Sequence, residues 1–137
     1  MTTFKHYNRV FAEVNLVSSH FGDVNFEDDW ILIERFNLPA SLNRRTSKLL
    51  IILPYNYPEA PPHEMYLEKG LKKHGRTPEH YFENKYGDSD VRNRGYAWYS
   101  IHFRTWRSSA NSMIQGDNLI TACNALYDAL KFDEGNR

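Results

Sequence analysis

One cysteine and six histidines are the side chains here best suited to nucleophilic or acid-base chemistry. His102 sits in a dense aromatic stretch with Trp98, Tyr99, Phe103 and Trp106. Imidazole titrates near neutrality, so a histidine held there can serve as a general base. It can equally be an aromatic-patch histidine whose ring nitrogens bond the backbone. Ser100 lies two residues earlier and would be the matching nucleophile. A strand would put both on one face, whereas an irregular loop would place neither. Cys123 falls on an apolar stripe with Leu119, Leu126 and Leu130, which predicts a buried, neutral thiol. His63, His74 and His80 are spaced by 11 and 6 residues, a pattern that matches no helical or hairpin metal site, so no metal is expected. Arg44, Arg45 and Lys48 read as an exposed basic turn able to meet a partner's acidic patch.

The elements that must position these groups centre on Leu49-Leu50-Ile51-Ile52-Leu53, followed by Pro54 and Tyr57-Pro58-Glu59-Ala60-Pro61-Pro62. The apolar run predicts a buried strand over about 47–53. Four of the six prolines then follow in nine residues. Each removes a donor and fixes φ, so the ladder must stop and a stiff bend must begin. Tyr57 is expected to pack its ring on that bend and hydrogen-bond its hydroxyl. Val10, Val14, Val17 and Phe21 recur at helical spacing, predicting a helix over about 4–21 with Arg9, Glu13 and Asn15 elsewhere on the turn. Two further strands are expected over about 29–36 and 63–68. Residues 70–106 alternate charges and are punctuated by Gly75, Gly87 and Gly95, which predicts a long irregular flap with Tyr81, Phe82 and Tyr86 packing part of it back. A helix over about 117–132, capped by Asp117, completes the chain. Trp98 and Trp106 are large anchors of core or flap, and also candidates for a partner's contact surface.

At 137 residues the chain fits one α+β domain, 1–137, with an antiparallel meander between an N-terminal and a C-terminal helix. Seventeen basic residues balance seventeen acidic ones, which argues against a general nucleic-acid binder. No apolar run approaches the roughly 20 residues of a membrane span, and the residues after Met1 have no signal-peptide core. One cysteine excludes an internal disulfide, and a cytoplasmic setting is expected.

Tyr57-Pro58-x-x-Pro61-Pro62 directly after an apolar strand resembles the ubiquitin-conjugating enzyme superfamily. Leu53-Pro54-x-x-Tyr57-Pro58, then Trp98, His102 and Trp106-Arg107, then a terminal helix, is similar to the prokaryotic ubiquitin-conjugating-like family E over about residues 29 to 130. The resemblance implies the ubiquitin-conjugating (UBC-like) fold and a structural motif of Pro54, Tyr57, Pro58, Pro61 and Pro62. It implies as partners a ubiquitin-like protein and an activating enzyme of the adenylyltransferase type, in a bacterial pathway of the kind found in antiviral defence. Active members of the superfamily carry a cysteine a few residues before the tryptophan that Trp106 resembles. This chain has Trp98, Tyr99, Ser100 and Ile101 there, and it also lacks the usual His-Pro-Asn motif. The expected role is therefore a cofactor-free, non-cysteine binding component of the pathway, like the ubiquitin-conjugating enzyme variants (UEV-like). The alternatives are a transferase working through catalytic His102 or another flap residue, and an adaptor with no ubiquitin-like partner. Tyr57, Trp98 and Trp106 are the binding candidates.

Overall fold

The chain enters its first helix with valines at every third or fourth position, and this spacing decides which side meets the sheet. A computed structural model describes residues 4–132, and in it α1 spans Tyr7–Phe21. Val10, Val14 and Val17 are buried on its inner face. Glu13 is buried with them, although the sequence reading leaves it on the outer turn. Gly22, at φ 83, ends the helix in a left-handed conformation and returns its N–H to Ser18 O.

Five strands and a short helix follow before the last strand and helix. They are β1 (Val24–Glu27), β2 (Trp30–Asn37), β3 (Thr46–Ile52), β4 (Glu64–Glu68), β5 (Tyr81–Phe82), α2 (Ser89–Asn93), β6 (Tyr96–Tyr99) and α3 (Leu119–Phe132). The strands form one antiparallel sheet in the order β1-β2-β3-β4-β6-β5. Two cross-strand rows build its inner face. One is Ile31, Ile51, Met65, Tyr99 and Tyr81, and the other is Ile33, Leu49, Leu67 and Ala97. Every member is buried, and the valines of α1 and Leu119, Ala122, Cys123, Leu126, Ala129 and Leu130 of α3 cover them. This follows from the period of two on strands and of 3.6 on helices.

Leu50 and Ile52 point the other way and are half-exposed, so the apolar run of β3 is central between β2 and β4 but covered fully on one face only. Four further expectations need correction. A strand, β1, precedes the expected first strand and joins β2 through a tight Asp28-Asp29 turn with Asp28 at φ 50. The irregular flap over 70–106 contains β5, α2 and β6, because Tyr96–Tyr99 alternates outward and inward and pairs along β4. Helix α1 begins at Tyr7 rather than near residue 4. Asn118, not Asp117, caps α3: its Oδ1 accepts from Ile120 N at 2.8 Å and Thr121 N at 3.1 Å, while Asp117 Oδ2 accepts from Arg107 N at 2.6 Å.

Residues 82–91 fold over the outer sheet face. Phe82, Tyr86 and Trp98 pack with centroids 4.9 to 6.0 Å apart, and Lys85 Nζ lies over the first two rings. Tyr66 Oη donates to Glu64 at 2.7 Å and accepts from Asp88 N at 2.8 Å.

Candidate functional site

The prolines that stop β3 also create a cleft at its exit. Leu53 N bonds Asp29 O and His63 N bonds Ile52 O, so the bend leaves and re-enters the sheet at fixed points. Within it, Tyr57 N donates to Pro54 O at 3.0 Å and Glu59 N to Asn56 O at 2.9 Å, and the Tyr57-Pro58 peptide is cis. Pro54, Pro61, Pro62, His63, Ile101, His102, Phe103 and Arg104 line an open cleft of about 390 Å³. His63 and His102, 39 positions apart in sequence, thus share one apolar-floored depression.

A buried polar network holds the bend against both helices. Tyr57 is fully buried, and its hydroxyl donates to Glu13 Oε1 at 2.6 Å. The same oxygen accepts from Leu119 N at 2.8 Å, at the start of α3. Arg9 Nε donates to Glu13 Oε2 at 2.6 Å, and Arg9 Nη1 to Ser109 O at 2.6 Å. Burial, followed by the neighbouring Glu13 carboxylate, drives the Tyr57 phenol well above its ordinary pKa. Trp106 Nε1 donates to Pro58 O at 2.8 Å, and its ring packs on Tyr57 and Phe103 at 6.0 and 5.6 Å. One carboxylate therefore fixes α1, the proline bend and α3 at a single point. The segment carrying His102 is tied to the same bend through Trp106.

Tyr57 is turned wholly into this network and offers no surface to a partner. Trp106 is half-buried beside the cleft. Trp98 lies on the opposite, outer face of the sheet against Phe82 and Tyr86, so the two tryptophans do not share a surface. The His102 ring is exposed and makes no hydrogen bond among the described residues, neither to backbone nor to Ser100. Ser100 follows β6 with its N–H on His80 O at 2.8 Å. The pair forms no preassembled nucleophile and base. Cys123 is fully buried in α3, and burial pushes its thiol up to about 12. His74 and His63 are exposed and His80 packs on Tyr99, and no three His, Cys, Asp or Glu side chains converge on a metal position among the described residues. Glu13 and Arg9 are the site-shaping residues that sequence reasoning missed. Their signal is the i, i+4 spacing, with Glu13 placed directly beside the valine stripe.

The antiparallel sheet packed by helices near both chain ends, with a proline bend and an aromatic exit segment, defines an α+β protein. The family model described as prokaryotic E2 family E matches residues 13–131, and the chain belongs to that family. Membership places it in ubiquitin-like conjugation at the level of the family. No curated protein and no solved structure matches the chain. Among the described residues no helix is long and apolar enough to cross a membrane.

Proposed function

We propose that this protein is a UBC-like domain, residues 1–137, that serves a bacterial ubiquitin-like conjugation pathway by binding rather than by carrying a thioester. The observation that supports this reading is the state of Cys123. It is the one cysteine of the chain, it is fully buried, and its thiol stays protonated far above neutral pH. A thioester needs an accessible thiolate, and the cleft offers none. What the cleft does offer is an apolar floor of Pro54, Pro61, Pro62, Ile101 and Phe103 with imidazoles at its rim. That suits a docked segment of a ubiquitin-like protein or of its adenylyltransferase-type activating enzyme, in a cytoplasmic pathway such as antiviral defence.

The test is titration of the ¹⁵N-labelled protein with each of these two partners from the same genome, followed by NMR. Saturable shifts at Ile101 through Trp106, including the Trp106 indole N–H, are expected with at least one partner. No binding to either would remove the ubiquitin-like assignment and leave an adaptor. The exposed, unpaired ring of His102 supports a second reading, in which it acts on an activated C-terminus. Conjugation that disappears in His102→Ala while binding survives would select that reading.

A further inference from the structure

Seven of the seventeen Lys and Arg residues fall in two short segments, 38–48 and 69–77, and neither segment contains an acidic residue. The fold brings the two together. Leu42 bridges Lys73, Asn43 N donates to Lys72 O at 2.9 Å, and His74 N donates to Ser41 O at 3.3 Å. The Asn43 side chain locks the pair by accepting from Lys72 N at 2.8 Å and donating to Gly70 O at 3.0 Å. His74 and Gly75, both at positive φ, form a tight turn closed in both directions between Lys73 and Arg76. Lys73 Nζ reaches Lys131 O, which adds the end of α3 to the same surface. Both segments are therefore braced by hydrogen bonds rather than loose.

Acidic neighbours pair part of this end, Glu34 with Lys48 at 4.0 Å among them, and leave two of its arginines over. Glu68 is committed to Arg44 at 3.2 Å and to Lys48 N at 2.7 Å. Asp128 on α3 and Lys73 are each engaged, and Glu79 lines the same depression as Lys73 and Arg76. Arg45 and Arg76 are exposed, and their guanidinium groups have no partner among the described residues. The remainder of the chain holds ten basic residues against seventeen acidic ones, so the excess positive charge is concentrated in these two segments of the sequence. Beside Arg45 opens a cleft of about 710 Å³ whose floor includes Leu38, Pro39, Leu42 and Tyr127, and Arg76 lines a second depression with Lys73, the residue bridged to Leu42. This cleft lies at the Thr46 end of β3 and the His102 cleft at its Ile52 end, about 20 Å away at roughly 3.3 Å per residue.

We propose that this basic end is a second docking surface, and that its occupant is an extended acidic segment of a partner protein, with carboxylates on Arg45 and Arg76 and apolar side chains on the Leu38-Leu42-Tyr127 floor. Guanidinium groups free to form bidentate pairs select carboxylate. A neutral overall charge and an apolar floor beside Arg45 disfavour a nucleic-acid backbone, which rewards a continuous run of cations. The inference does not depend on the partner being ubiquitin-like, nor on the His102 cleft.

The test uses the full chain and a fluorescein-labelled peptide of alternating Glu and Leu, followed by anisotropy at low and physiological salt. Saturable binding is expected. It should weaken at least tenfold in Arg45→Glu/Arg76→Glu and stay unchanged in Arg35→Glu/Arg94→Glu, which alters net charge equally at exposed sites elsewhere. Melting curves establish that both variants fold. A peptide with Ser for Leu should bind several-fold more weakly. Equal loss in the two double variants would reduce the effect to net charge and overturn the site. Equal binding of the Ser peptide would overturn the use of the cleft. A DNA duplex that binds more tightly than the peptide through the same two arginines would overturn the choice of occupant.

Discussion

Replacing Glu13 by Gln perturbs the network at its hub while keeping its volume. Glu13 is fully buried and Arg9 is 15% exposed, and their 2.6 Å contact is an ion pair largely removed from water. The amide oxygen of Gln can still accept from Tyr57 and from Leu119 N, but its NH₂ then faces the Arg9 Nε donor. The guanidinium is left without its counter-charge, and its Nη2 is already buried without a partner. Breaking one side of a buried pair costs about 3–5 kcal/mol. That is a large part of the roughly 5–15 kcal/mol that stabilises a domain. At this chain length it corresponds to a fall in Tm of roughly 10–15 °C. Thermal and urea unfolding followed by circular dichroism measure the loss, and the Trp106 indole resonance reports whether the bend has shifted. Arg9→Met combined with Glu13→Gln should cost clearly less than the sum of the two single changes, because the charges are coupled. A Glu13→Gln variant that unfolds within about 1 kcal/mol of the parent would refute the argument that this carboxylate fixes the bend.

Tyr57→Phe removes one charge-assisted hydrogen bond and should cost about 1.5–3 kcal/mol by urea unfolding. Gly87→Ala should destabilise by roughly 1–3 kcal/mol and alter Trp98 fluorescence. Gly87 has φ 66, and its new Cβ would lie 2.7 Å from Tyr66 Oη and 2.8 Å from Trp98 Cδ1. Cys123 has a pKa raised from 9.0 to about 12 by burial, so its contribution to stability is complete below pH 9 and declines as pH rises towards 12. Between pH 8 and pH 10 the urea-derived stability should fall by about 1.4 kcal/mol from this group alone, and Cys123→Ala should flatten that decline.

The sequence makes the core strand, its proline exit and the C-terminal stripe legible because each rests on a strong local constraint: missing donors, fixed φ, and leucines at helical spacing. Strand β6 is hidden because Tyr96-Ala97-Trp98-Tyr99 follows a charged, glycine-broken stretch, and its alternation gains meaning only when β4 lies beside it. Strand β1 is hidden because Glu27-Asp28-Asp29 looks like a solvated approach, whereas Asp28 supplies the left-handed corner of a hairpin. At the site, the aromatic exit and His102 are visible in the sequence, but their facing is not. Trp98 and Trp106 look like one patch until the strand register sends Trp98 to the outer face. Glu13 is the hardest to foresee, since burying a carboxylate is costly unless partners meet it, and only the tertiary fold brings Tyr57 and Leu119 from distant segments to join Arg9 of the same helix.

The reading that this family member binds without forming a thioester is tested most directly by mass. The protein is incubated with ATP and with the ubiquitin-like protein and activating enzyme of the same genome, and intact mass is recorded with and without reductant. The account predicts an unmodified chain in both lanes while the activating enzyme itself becomes charged. A reductant-sensitive adduct on this chain that is lost in Cys123→Ala would contradict it.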